Sequence, residues 1–204
     1  MKFIEFKNNL KDFLIFSLND IRKIEANFDL RRLSEWMDKG YIKMVRRGYY
    51  VFSDLDINEP ILFLIANKIY SPSYVSLEMA LSYYNLIPES VYSITSVTTQ
   101  KTNSFETDIG KFVYQHLKPN LMFGYKLVKY GNHSFKFAEI EKLLLDYFYL
   151  NSQLKTKDDF FEMRFNEKEF KDKVNKKTLL YYLEKFNNKS LEKRVEKFLK
   201  FINL

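Results

Sequence analysis

Apolar residues recur at helical spacing at the start of the chain, where Phe3, Phe6, Leu10, Phe13 and Leu14 share one side of a 3.6-residue period. Ser17-Leu18-Asn19-Asp20 offers N-cap residues for a short second helix carrying Ile21 and Ile24. Asp29 can open a third helix whose inward positions are Leu30, Leu33, Trp36 and Met37. Lys39-Gly40 ends it with a cation in the last turn and a glycine just beyond. The period then changes. Tyr41 to Val45 and Tyr49 to Phe52 are β-rich runs separated by Arg46-Arg47-Gly48, which predicts a hairpin with a basic tip. Three helices followed by such a hairpin, in roughly fifty residues, is the layout of a winged helix-turn-helix.

The polar stretch Asp54 to Glu59 marks a junction, so residues 1–55 and 56–204 are expected to form two domains. Beyond it, Ile61 to Tyr70 predicts a helix with Pro60 near its start. Pro72 interrupts, and Ser76 is placed to cap a helix from Leu77 to Tyr84, with Glu78 in its first turn. Strands are expected at Val91–Thr99, Lys111–Leu117, Tyr125–Tyr130 and Ser134–Phe137, the last two joined through Gly131-Asn132. A helix from about Ala138 to Leu150 follows, burying Ile140, Leu143, Leu144, Tyr147 and Phe148. From Asp158 onward the pattern is helical and lysine-rich, with Leu179, Leu180, Leu183 and Phe186, then Leu191, Val195, Phe198 and Leu199 as apolar positions.

Composition narrows the function classes. Twenty Phe and fifteen Tyr in 204 residues supply a sizeable core, and five Gly with four Pro leave no long flexible linker. The absence of Cys removes disulfides, thiolate nucleophiles and thiolate metal sites, and it fits a reducing cytoplasm. The start has no uninterrupted apolar segment of a secretory signal, and no run approaches the roughly 18 to 20 apolar residues of a membrane span. A cytoplasmic location without a membrane partner is expected. The net charge of +7 is uneven: residues 1–55 carry eleven cations against eight acids, 56–154 eight against nine, and 155–204 fourteen against nine. Two basic ends around a near-neutral middle suggest a polyanionic partner.

The third helix is the candidate reader of DNA. With its apolar side inward, Arg31, Arg32, Ser34, Glu35 and Asp38 face outward. Arginines at the start of such a helix stand where base edges and phosphates are met in helix-turn-helix complexes. The hairpin adds Lys43, Arg46 and Arg47, with no acid between Lys39 and Phe52. Its tip could follow the backbone or enter a minor groove. The same exposed cations also suit a protein-docking module, and Glu35 and Asp38 weaken the DNA case slightly.

Catalytic motifs are sparse. The chain has no GxxxxGK[ST], GxGxxG, GxSxG or HExxH, and no catalytic residue, metal ligand or cofactor is expected. His116 and His133 stand on separate elements without a nearby acid pattern. Glu139, Lys142 and Asp146 share one helix face at spacings of three and four. A proton-handling site is one reading of that face, and a solvated face with charge pairs is the favoured one. The lysines of the tail are expected on a solvated helix face, with a second nucleic-acid patch as the alternative.

The block Ser71-Pro72-Ser73-Tyr74-Val75-Ser76-Leu77-Glu78-Met79-Ala80-Leu81, followed by Leu86-Ile87-Pro88-Glu89, resembles the central signature of AbiEi-type antitoxins of type IV toxin–antitoxin systems. Thr95 to Thr99, Phe112-Val113-Tyr114 and Glu141 to Asp146 extend the likeness, and the hairpin from Lys39 to Phe52 is similar to the family's amino-terminal winged helix. The resemblance spans roughly Ser17 to Leu150 and is loose from Lys155 onward. It implies a repressor of its own operon that binds inverted repeats in double-stranded promoter DNA, where a homodimer would match the symmetry. It also implies an antitoxin against a nucleotidyltransferase-like toxin in phage abortive infection.

These observations together predict an α+β protein: an amino-terminal winged helix-turn-helix, a mixed domain with a small, mainly antiparallel sheet, and a helical tail. The expected function is that of a non-enzymatic autorepressor and antitoxin. The expected DNA contacts are Arg31, Arg32, Ser34, Lys43, Arg46 and Arg47. The rivals are an enzyme that modifies the toxin through Ser76, Glu78, Glu141, Lys142 or Asp146, and a docking module with no DNA role.

Overall fold

In a computed structural model that describes residues 1–204, the chain is α+β, with two separate sheets and a helical carboxy-terminal part. The first unit runs α1 (Phe3–Leu10), β1 (Phe16–Ser17), α2 (Leu18–Ile24), α3 (Arg31–Asp38), β2 (Ile42–Arg46) and β3 (Tyr49–Phe52). Its three strands form an antiparallel sheet in the order β1-β3-β2. Ser17 and Asp20 build a reciprocal capping box at the start of α2, which satisfies amides that the helix leaves unpaired. A cluster of Phe6, Leu10, Phe16, Ile21, Phe28, Leu33, Trp36, Ile42, Tyr50 and Phe52 forms the core of this unit.

Two local expectations change. The first helix stops at Leu10, and Phe13 lies exposed, because the chain turns to pair β1 with β3. Leu30 is 45% exposed: it precedes α3 instead of lining its buried side.

The second part contains α4 (Glu59–Ile69), β4 (Ser73–Val75), α5 (Leu77–Tyr83), β5 (Ser93–Thr98), β6 (Asn103–Thr107), β7 (Gly110–His116), β8 (Tyr125–Tyr130), β9 (His133–Ala138) and α6 (Ile140–Leu150). Four further helices follow: α7 (Lys157–Glu162), α8 (Glu167–Lys173), α9 (Lys176–Phe186) and α10 (Lys189–Phe201). The six strands lie in the order β6-β7-β5-β4-β9-β8. The sheet is mixed, not mainly a stack of hairpins, since β5 runs parallel to β7 and β4 parallel to β9. Both parallel pairings join strands that are distant in sequence, which strand-by-strand pattern reading cannot anticipate.

Two strands escape the pattern of hydrophobic positions. All three residues of β4 are buried, so it has no alternation to reveal it. The polar run of β6 forms an edge strand because β7 offers it a ladder. In the tail, Leu179, Leu183 and Phe186 are buried as expected, whereas Leu180 is 42% exposed.

The small sheet is covered on both sides. Ile42, Tyr50 and Phe52 face the three amino-terminal helices, whereas Val45 and Val51 belong to the main core of the second part. A register shift between Met44 and Arg46 rotates the end of β2, as a bulge does. It turns Val45 and Arg46 toward the body of the molecule.

Candidate nucleic-acid interface

The structure separates the six expected contacts. Arg31 opens α3 with its side chain 87% exposed and pairs with Asp29 two residues earlier, its Nε 3.0 Å and its Nη2 2.8 Å from the two carboxylate oxygens. These bonds hold the Asp29 carboxyl below its ordinary range. Arg32 is half-buried and donates to the Met1 carbonyl at 2.5 Å, which ties the start of the chain to α3. Ser34 on α3, Lys43 on β2 and Arg47 at the hairpin tip are exposed. Neither Lys43 nor Arg47 forms a salt bridge.

Arg46 is placed differently from the expectation. Its guanidinium donates to the Ile69 carbonyl at the end of α4 and lies over the rings of Tyr70 (5.1 Å) and Phe105 (4.4 Å). The bulge in β2 explains why adjacent arginines diverge, one into the junction and one into solvent. Arg46 therefore anchors the hairpin to the body. Lys68 on α4 reaches Asp20 of the α2 capping box at 3.5 Å, so two polar links, through Arg46 and Lys68, fix the first unit on the second, while Lys7 pairs with Asp54 within the first.

The first turn of α3 holds two arginines and no acid. Cations there oppose the positive end of the helix dipole. Asp29 offsets part of that effect for Arg31. The first-turn amides are already engaged, Arg31 N–H by the Asp29 carboxylate at 3.1 Å and the Arg32 and Leu33 N–H groups by the Asp29 and Leu30 carbonyls, so an incoming anion would meet the guanidinium groups.

The second group of candidates corrects the sequence reading. Lys142 and Asp146 are wholly buried, and Glu141 is 7% exposed. The face expected to be solvated is covered by β4, the Phe123–Gly124 segment and α9. Lys142 pairs with Asp146 and donates to the Tyr74 hydroxyl at 2.8 Å. Tyr74 donates to Asp146 at 2.7 Å, and Ser76 donates to the same carboxylate oxygen at 3.2 Å. The Lys142 ammonium also lies 5.0 Å from the ring of Phe123 and 4.9 Å from that of Phe186. Burial pushes the Asp146 carboxyl up and the Lys142 ammonium down from their ordinary values, against the pull of their mutual attraction. Glu141 accepts the Asn175 amide at 2.7 Å ahead of α9, and Glu139 accepts from the Tyr182 hydroxyl at 2.6 Å.

This cluster rewires the expected cap of α5. The Ser76 hydroxyl turns to Asp146 and makes no cap bond. Thr95 of the neighbouring strand replaces it, accepting from the Met79 amide at 2.9 Å and donating to the Ser76 carbonyl at 2.7 Å. Leu77, the first residue of α5, holds a φ of 61°, a conformation costly for a leucine and stable only where the surroundings impose it. The side chains of Lys142 and Asp146 do not meet solvent, so the chemistry available to the cluster is cohesion between β4, α5, α6 and α9.

His116 is exposed, its Nδ1 2.9 Å from the Gln100 carbonyl, and His133 is half-buried at the start of β9. No group of three or more His, Asp or Glu side chains is arranged to hold a metal ion, and no helix is long and apolar enough to cross a membrane. Among known proteins, no family model matches the chain and no curated protein matches it.

Proposed function

We propose that the first unit is a winged helix-turn-helix that binds double-stranded DNA, with α3 as the inserted helix, and that the protein represses its own operon. The observation that carries this reading is the acid-free first turn of α3. There the exposed Arg31 and half-buried Arg32 oppose the helix dipole, and the order of helices and antiparallel strands around that turn is the one such domains use. Arg31, Ser34, Lys43 and Arg47 are the contacts, and Arg32 contributes from its place beside Met1. Arg46 acts through the orientation of the hairpin. Inverted repeats upstream of the chain's own reading frame are the proposed target, bound by two copies.

The resemblance of the central block extends the proposal to an antitoxin that opposes a nucleotidyltransferase-like toxin in phage defence. The second part would carry that role, since its core is built around the same block.

The test is retardation of the upstream DNA by the wild type and by an Arg31→Ala/Lys43→Ala/Arg47→Ala variant, whose three positions carry no core packing. Removing one base contact should weaken binding by ~1–3 kcal/mol, and removing one phosphate contact should lower the salt slope by about one. Equal retardation of both proteins at equal salt refutes the proposal. Survival of cells that express the toxin, with and without this chain, tests the antitoxin role separately.

A further inference from the structure

Where α7 meets the end of α10, the helical tail forms an open pocket of about 650 Å³, within the size range of small-ligand sites. Lys155, Lys157, Lys197 and Lys200 surround it, Phe160 and Phe201 line it, and no acid does. None of the four lysines forms a salt bridge, although Lys171 and Lys173 in the same tail are each paired with a glutamate. The nearby Asp159 carboxylate is already engaged: it accepts the amides of Lys155 at 2.8 Å and Thr156 at 2.7 Å as part of the α7 capping box.

What sets these four apart is the shared acid-free concavity, since other tail lysines such as Lys176 and Lys189 are also unpaired but do not line it. A solvated lysine face spreads its charges among acids, as α8 does with its glutamate–lysine pairs. Four unpaired cations around a concavity instead repel one another and focus a positive field into it. Ammonium groups on flexible stems suit phosphate oxygens, to which each donates as a point charge without the fixed fork of arginine. Phe201, partly exposed and backed by the buried Phe160 with ring centroids 5.7 Å apart, gives one wall an aromatic surface.

We infer that this pocket binds a compact phosphate-rich anion, two or three phosphoryl groups in a chain, independently of whether the first unit binds DNA. The concave form favours a short chain over an extended nucleic-acid backbone, which tracks along a groove.

Calorimetric titration with sodium triphosphate at about 0.1 M salt tests the inference. Binding by the wild type that weakens at least tenfold in Lys157→Ala/Lys200→Ala, but not in Lys171→Ala/Lys173→Ala, supports it. The two variants lose the same net charge, so the difference reports the pocket itself. Circular dichroism establishes that both remain folded. Parallel titrations with ATP and with a single-stranded thymidine oligonucleotide distinguish the sources of the phosphate chain. Tighter binding of ATP than of triphosphate adds the aromatic wall to the site. No triphosphate binding, equal weakening in both variants, or binding of the oligonucleotide alone overturns the inference.

Discussion

The guanidinium of Arg46 lies 4.4 Å above the ring of Phe105, a contact between the amino-terminal hairpin and the edge strand of the large sheet. Its neighbour Arg47 points to solvent. Arg46→Ala removes two cation–π contacts and leaves the Ile69 carbonyl without its donor. A loss of ~1–3 kcal/mol is expected in urea unfolding. Arg46→Lys keeps the charge but not the planar stack and should recover only part of that loss. Arg47→Ala should leave the unfolding midpoint unchanged. An unchanged midpoint for Arg46→Ala would remove the anchoring role.

Breaking the buried pair has a definite sign. Lys142→Met strands the Asp146 carboxylate in the interior, and Asp146→Leu strands the ammonium, each at a cost of about 3–5 kcal/mol. The Lys142→Met/Asp146→Leu double variant should be milder than the sum of the singles, because neither charge is then left unpaired. Thermal unfolding of the three proteins measures the coupling. Additive losses would mean that the two groups do not depend on each other.

Gly124 lies where only a glycine fits. A Cβ there would come within 2.8 Å of the Lys142 Cβ and 3.0 Å of the Tyr182 ring, on a backbone with φ +67°. Gly124→Ala should cost ~2–5 kcal/mol, from overpacking and from the left-handed backbone together. Gly131, at φ +56° with open space around it, carries the backbone cost alone. Gly131→Ala should therefore lose only about 1–2 kcal/mol. Equal melting shifts in the two variants would contradict the packing described around Lys142.

Acid sensitivity is expected at the α2 capping box. Burial raises the Asp20 carboxyl, but hydrogen bonds from the Ser17 hydroxyl and amide, with Lys68 beside it, outweigh that and lower it below 3.8. A carboxyl depressed in the folded state stabilises the protein in full above its unfolded value. That contribution is lost as pH falls through 3.8 and below. Asp20→Asn should thus reduce stability at pH 7 and flatten its decline toward acid. Parallel stability–pH curves for wild type and variant would show that ionisation of Asp20 is not linked to folding.

Much of the architecture was legible in local pattern. The hairpin of β2 and β3, the paired β8 and β9 and the helix α6 announce themselves because each is decided by residues within about ten positions of one another, through periodicity, turn chemistry and caps. The exposed cations Arg31, Lys43 and Arg47 were legible for the same reason.

The rest depended on partners far away in the chain. Charge spacing on α6 shows that Lys142 and Asp146 can meet, but not that Phe123 and the end of α9 will cover Lys142 or that Tyr74, 68 residues from Lys142, will join them. Thr95 replacing Ser76 as the cap of α5 and Arg46 leaving its neighbour for Phe105 are choices of the same kind. Amino-acid order by itself determined the elements and the sites of exposed charge, because backbone preference and amphipathic period are short-range properties. Tertiary packing alone decided which charges lie in solvent and which lie in the core, because burial is set by whatever distant segment arrives to exclude water.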